Sequence, residues 1–150
     1  MKDSINVVQL VDSQQFTLAQ YEALAAQVPR FSLRGEALAA YLDKMIRLGD
    51  VYVLIAKNTL LGIIGFYAND FKTQKAYLSL LVVDKSLRGT GAADLLFERM
   101  KSLAITRGMR RLEANVIRDN TRALRYYGKH SLSIQSTGRD EEHVLVAGEL

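Results

Sequence analysis

The stretch that most limits what this chain can become is LLVVDKSLRGTGAADLLFERM, Leu80 to Met100. A branched apolar run, the mark of a buried strand, ends on Asp84. From Ala92 to Ala104 the period changes, with Ala92, Leu96, Met100 and Leu103 recurring every three or four residues as on one helix face. A strand therefore passes into a helix through a turn containing Arg88, Gly89, Thr90 and Gly91, followed by Ala92 and Ala93. The glycines allow a tight turn and close approach of a ligand to the backbone. The alanines keep bulk off the first helical turn. The leading N–H groups of a helix have no partners within it, and its dipole favours an anion there. The junction reads as a cradle for a phosphate or pyrophosphate, assisted by Arg88; a plain glycine-rich turn is the alternative. It is not a P-loop, because no Gly-Lys-Ser/Thr follows at the required spacing. It is not a dinucleotide fingerprint, because Asp94 stands where the third glycine belongs.

The rest of the chain supplies a frame for that junction. Ile5 to Val11 reads as a first strand, then Ser13 to Val28 as a helix capped by Ser13 and ended by Pro29. Gly35 to Gly49 is a second helix with Leu38, Tyr41, Leu42 and Met45 inward and Gly49 as C-cap. Val51 to Lys57 and Leu60 to Asp70 form a hairpin about Asn58-Thr59. Lys75 to Val83 is a buried central strand, and Arg110 to Ile117 is the strand after the glycine-loop helix. Asp119 to His130 forms a helix with Ala123, Leu124 and Tyr127 inward, and two closing strands follow. The order β-α-α-β-β-β-α-β-α-β-β predicts a mixed α+β arrangement. We read residues 1–150 as one domain.

Composition removes several function classes. The chain has 150 residues and no cysteine, so a disulfide, a cysteine nucleophile and a cysteine-built metal site are excluded. Two histidines, His130 and His143, stand alone, and we expect no metal. Met1 to Val11 carries one basic residue, Lys2, and an interrupted apolar run, unlike a secretory leader. With no apolar run near ~18 residues, a cytoplasmic protein without membrane contact is expected. The net charge of +4 suits an anionic ligand. Its scattered basic residues, with one concentration at Arg107 to Arg111, show no nucleic-acid-binding motif, so no nucleic-acid partner is expected.

A second motif lies at Arg118 to Leu132, RDNTRALRYYGKHSL. Asn120 or Asp119 can cap the helix, and Ala123 is small enough for a ligand to pass along it. Tyr126 and Tyr127 are consecutive and cannot face the same way, so one is core and the other opens into a cleft. A phenol can donate a proton to a thiolate leaving group.

Together the two segments resemble the GNAT family of acyl-CoA-dependent N-acetyltransferases. The family's pyrophosphate loop, Arg/Gln-x-x-Gly-x-Gly/Ala, stands here as Arg88, Gly91 and Ala93, and its Asn-x-x-Ala-x-x-x-Tyr signature as Asn120, Ala123 and Tyr127. The element order is similar to that fold: a central mixed, twisted sheet of about seven strands flanked by four helices. The resemblance is specific over Leu80 to Leu132; Met1 to Asp70 is supported by element order. The second signature often ends in Gly-Phe, where this chain has Ser131-Leu132.

The resemblance implies acetyl-CoA as the cofactor and a primary amine, of a small molecule or a peptide, as acceptor. Its pyrophosphate would lie on the N–H groups of Gly89 to Ala93, and its pantetheine arm beside Leu81, Val82 and Val83. That requires the strand carrying Leu81 to Val83 to diverge from Arg111 to Val116. Backbone N–H groups at Val82 or Val83 would hold the thioester carbonyl, Asn120 and Ala123 would contact the cofactor, and Tyr127 would protonate the departing thiolate. Many members carry a basic glutamate near the position of Ser79 and Leu80, where this chain has none. The base stays open among Glu113, Asp70 and a water held by Ser79. Arg30, Phe31 and Arg34 fall where this fold shapes its acceptor site. The rival function is a non-catalytic acyl-CoA-binding or regulatory module. The free edge of the last strand offers a template for a homodimer.

Overall fold

The structure, a computed structural model, describes residues 4–150; Met1 to Asp3, the start of the stretch compared above with a leader, lie outside the described residues. The elements run β1 (Asn6–Gln9), α1 (Leu18–Ala25), α2 (Gly35–Leu48), β2 (Asp50–Ala56), β3 (Thr59–Asp70), β4 (Lys75–Val83), α3 (Ala92–Thr106), β5 (Arg111–Ile117), α4 (Thr121–Lys129), β6 (Ser133–Thr137) and β7 (His143–Glu149). The strands form one seven-stranded sheet in the order β1-β2-β3-β4-β5-β7-β6. Only β4 and β5 pair in parallel, with α3 as the crossover between them; the other neighbours are antiparallel.

Helices cover both faces of this sheet. On one, Tyr21, Leu24, Leu38, Leu42 and Met45 of α1 and α2 pack on Val51, Val53, Ile63, Leu80 and Val82. On the other, Leu96, Phe97 and Met100 of α3 and Tyr127 of α4 pack on Leu54, Ile64, Phe66, Leu112 and Val146. A side chain at Gly65 would collide with the Met45 sulfur, so glycine there lets α2 close on the sheet. Among the described residues no helix is long and apolar enough to cross a membrane.

β4 changes phase halfway along. Ala76 and Leu78 face the α3 side, whereas Leu80 and Val82 face the α1–α2 side. Residues two apart share a face in a regular strand, so one extra residue must intervene. The register places it at Ser79: Phe66 pairs with Leu78 and Gly65 with Leu80. Tyr41 of α2 binds this bulge, its hydroxyl donating to the Ser79 carbonyl at 3.0 Å and lying 2.8 Å from Ser79 Oγ. A bulge bends its strand and increases the local twist. The β4–β5 ladder covers Lys75 to Leu78 against Arg111 to Ala114 and stops there. Beyond it the two strands part, as the expected divergence requires.

Three local expectations change. The first helix does not run from Ser13: Asp12 caps a short 3-10 turn over Ser13–Gln15, and α1 starts after Thr17, which forms a capping box with Gln20. The hairpin turn is Lys57-Asn58, both with positive φ, and Thr59 already pairs with Ala56. Gly49 ends α2 but does not adopt the left-handed conformation of a usual glycine cap.

Candidate active site

The parting of β4 and β5 opens a trough floored by the free edge of β4. Its larger arm, about 700 Å³, runs from Leu81, Val82 and Val83 to the start of α3. Its smaller arm, about 450 Å³, runs from Tyr77 and Ser79 toward the β6–β7 loop. Leu81, Asn120, Ala123 and Tyr127 line both arms and so mark where they meet.

At the end of the larger arm the glycine turn takes the form expected of a cradle. Gly89 and Gly91 have φ of 78° and 83°, values that side chains disfavour. A Cβ added at either would meet nothing within 4 Å. Among the described residues, the backbone N–H groups of Gly89, Gly91, Ala92 and Ala93 donate to no protein acceptor. Unpaired donors at a helix N-terminus fit an anion such as a pyrophosphate. Arg88 lines the same arm, along with Gly89, Gly91, Ala92 and Ala93. Thr90 does not: its hydroxyl turns back to the Leu87 carbonyl. Asp84 braces the turn from behind, accepting from Ser86 Oγ at 2.5 Å, Gln27 Nε2 at 2.8 Å and Ser86 N at 3.0 Å, and these bonds, the Ser86 hydroxyl's first, hold its carboxyl below the usual range.

Asn120 both caps α4, accepting from Ala123 N at 3.2 Å, and lines both arms. Of the paired tyrosines, Tyr126 donates to Asp94 at 2.8 Å and packs edge-on against Phe97. Tyr127 is only 8% exposed, yet its hydroxyl has no hydrogen-bond partner among the described residues. No sealed side-chain oxygen or nitrogen lacks a partner, so this hydroxyl meets the trough. Burial, and then the neighbouring Tyr77, push its pKa up, which keeps the proton on the phenol.

Glu113 lies elsewhere. It shares ion pairs with Arg111 at 3.4 Å and Lys75 at 3.9 Å and lines neither arm. Asp70 sits at the far hairpin, bound to Thr73. Ser79 does line the smaller arm. Arg30 and Phe31 also line it, and Arg30 bridges to Asp119 at 2.8 Å across its rim, while Arg34 is turned to the carbonyls of Phe31 and Leu33. Sequence reasoning overlooked Tyr41, Tyr77, Arg139 and Asp140, which line this arm, and passed over His143 as solitary. Asn115 Nδ2 donates to the Tyr77 hydroxyl at 3.1 Å and Asn115 Oδ1 accepts from Arg139 N at 2.8 Å, tying β4, β5 and the β6–β7 loop together. Among the described residues no cluster of three metal-ligating side chains occurs.

A split sheet, unpaired backbone donors at a helix N-terminus and an unpaired phenol thus meet in one trough. The family profile described as Acetyltransferase (GNAT) family matches residues 19–131. The chain belongs to the GNAT acetyltransferase family. No curated protein matches it at the sequence level. Among solved structures it is similar to Naa50 of Arabidopsis thaliana in complex with the bisubstrate analogue CoA-Ac-MVNAL, with a TM-score of 0.76, 17% identity and coverage of 98% of this chain and 99% of that one. The PaiA N-acetyltransferase of Thermoplasma acidophilum in complex with coenzyme A gives 0.75, 16%, 98% and 99%. A GNAT family acetyltransferase of Elizabethkingia anophelis with acetyl-CoA bound gives 0.71, 15%, 99% and 100%. At such identities these likenesses speak for the fold alone.

Proposed function

We propose that this protein transfers an acetyl group from acetyl-CoA to a primary amine by direct attack within a ternary complex. The carrying observation is Tyr127, a buried phenol with no protein partner at the junction of both arms. In this reading the larger arm takes the coenzyme. The N–H groups of Gly89, Gly91, Ala92 and Ala93 bind the pyrophosphate with Arg88, Asn120 and Ala123 flank the arm of the molecule, and the Leu81 to Val83 edge holds it by strand-like pairing. N–H groups at Val82 or Val83 stabilise the developing oxyanion. Acetyl-CoA supplies the activated thioester.

The amine enters through the smaller arm. Tyr127 holds its proton until negative charge develops on the leaving sulfur, then donates it. The same burial that raises the phenol also disfavours a free thiolate, so the transfer relieves buried charge. Glu113 is engaged by two cations away from both arms, and we assign it to bracing the β4–β5 junction. That proteins of the same fold are seen with coenzyme A and with a bisubstrate analogue supports a coenzyme-dependent reading. The test is thiol release from acetyl-CoA across a panel of small amines, amino sugars and peptides with free α-amines. Turnover with at least one acceptor is expected. Tight coenzyme binding with no turnover across the panel would point instead to a binding or regulatory module.

A further inference from the structure

Among the described residues two polar side chains are buried, Asp50 and His143. Asp50 is accounted for by Arg107, which donates two hydrogen bonds to it at 2.5 and 3.0 Å. His143 is also paired, but with two side chains of the β6–β7 loop that border the smaller arm. It is 7% exposed, sits at the start of β7 opposite Ile117 of the parted strand β5, and lines the smaller arm with Tyr127.

Its partners define its tautomer. Arg139 Nη2 lies 3.0 Å from His143 Nε2, and a guanidinium can only donate. Nε2 therefore carries the lone pair and Nδ1 the hydrogen, which Nδ1 donates to Asp140 Oδ1 at 2.6 Å. With a carboxylate behind Nδ1, the lone pair of Nε2 can accept a proton once Arg139 is displaced from it. Asp140 is held by its own loop, accepting from Glu142 N at 2.9 Å. The loop is pressed onto the site: a side chain at Gly138 would strike Asn115 Oδ1 and the His143 backbone. Arg139, with a side chain 65% exposed, occupies the place on Nε2 that an incoming N–H would take.

We propose that His143 is the proton acceptor for the attacking amine, with Asp140 as its positioning residue. The inference rests on the transferase reading. The amine nitrogen forms the new C–N bond as the C–S bond breaks. The incoming amine displaces the exposed Arg139 side chain from His143 Nε2, and the proton shed by that nitrogen passes there, directly or through one water, while the sulfur takes the Tyr127 proton. Exchange through solvent then returns a proton from the imidazolium to the phenolate, so the overall products are the amide and the free thiol.

Other charges share the arm. Lining it are Arg139, Asp140 and Glu142 of the same loop and Arg30, and just outside it Arg118 and Asp119 of the β5–α4 connection bond the loop and Arg30 respectively. The phenols of Tyr41, Tyr77 and Tyr127 face it from α2, β4 and α4. Burial raises Tyr41, to about 12, and Tyr127, and hydrogen bonding from His143 lowers Asp140. Imidazole is the side chain whose ordinary titration falls between about pH 5 and 8.

Two readouts test this. Long-range proton–nitrogen spectra of the imidazoles, with CoA as the bound probe and His130→Gln to assign the two histidines, should show His143 with hydrogen on Nδ1. Asp140→Asn, at a half-exposed side chain, should weaken that preference for hydrogen on Nδ1 by removing the carboxylate that accepts it. Hydrogen on Nε2 in the wild type, or a tautomer balance unmoved by Asp140→Asn, overturns the proposal. With an acceptor from the amine panel, His143→Gln should bind acetyl-CoA normally and lose roughly a hundredfold in kcat, along with the acid limb of the kcat profile. Asp140→Asn should lose about tenfold in kcat. Turnover and acid limb retained in His143→Gln would overturn the base role alone. A wild type that binds acetyl-CoA and acetylates nothing would remove the transferase reading and the base role with it.

Discussion

Tyr127→Phe separates a catalytic tyrosine from a core one, because the two roles predict opposite patterns. The substitution deletes one hydroxyl and keeps the ring, which packs with α3 and the sheet. Were that hydroxyl a structural donor, its loss would cost about 1 kcal/mol, and more if a buried acceptor were orphaned. Here it has no partner among the described residues, so no bond is broken and no acceptor abandoned. The expected change in folding stability is within about 0.5 kcal/mol of zero, since only an unpaired polar group is removed. In a chain of this size that is at most about 2 °C in Tm. The effect on turnover should be much larger: at least tenfold, about 1.4 kcal/mol of transition-state stabilisation, and as much as ~10²-fold if proton donation limits the rate. Acetyl-CoA affinity should stay within about twofold, because the cradle is untouched. The assays are denaturant unfolding, calorimetric titration and thiol release on the same preparation. Lost stability with unchanged turnover would refute the reasoning and make Tyr127 a core residue.

Other perturbations test the surrounding construction. Gly91→Trp should fold, since its Cβ meets no protein atom, at a backbone cost of about 1–2 kcal/mol for the left-handed φ, and should abolish acetyl-CoA binding by titration. Tyr41→Phe removes a hydroxyl bound to the Ser79 bulge; urea unfolding should show a loss of about 1–2 kcal/mol and thiol release a lower rate as the strand divergence relaxes. Asp84 is held below its unfolded pKa by bonds from Ser86 and Gln27. Its contribution is thus complete above its unfolded value near about pH 4 and lost as pH falls through the lower folded value. Asp84→Asn should flatten that part of the stability–pH curve, and an unchanged curve would show that the brace carries nothing. Glu113→Gln should leave kcat within about threefold, as expected for a partly exposed ion pair.

Much of the fold was legible because its signals are local. The strand–turn–helix junction, the order of elements and the cap at Asn120 each follow from a few neighbouring residues. Thr17 and Gln20 spell a capping box that a continuous helical reading from Ser13 passed over. The bulge at Ser79 was harder to find. In KAYLSLLVV both parities are largely apolar, so the change of phase between Leu78 and Leu80 leaves no break in the pattern. The lining of the larger arm was readable for the same reason as the fold, coming mostly from two contiguous motifs. The lining of the smaller arm was not. Tyr41, Tyr77, Asn115, Arg139 and His143 come from α2, β4, β5, the β6–β7 loop and β7, and only folding brings them together. His143 looked solitary because its partner Asp140, three residues earlier, meets it only through the turn that starts β7.

The most direct measurement is calorimetric titration of the purified protein with acetyl-CoA, alongside Arg88→Ala and Gly91→Trp. Saturable binding in the micromolar range is predicted, weakened by Arg88→Ala and lost in a folded Gly91→Trp. No heat of binding at millimolar acetyl-CoA would contradict the account at its foundation, leaving the unpaired N–H groups of Gly89, Gly91, Ala92 and Ala93 without the anion assigned to them.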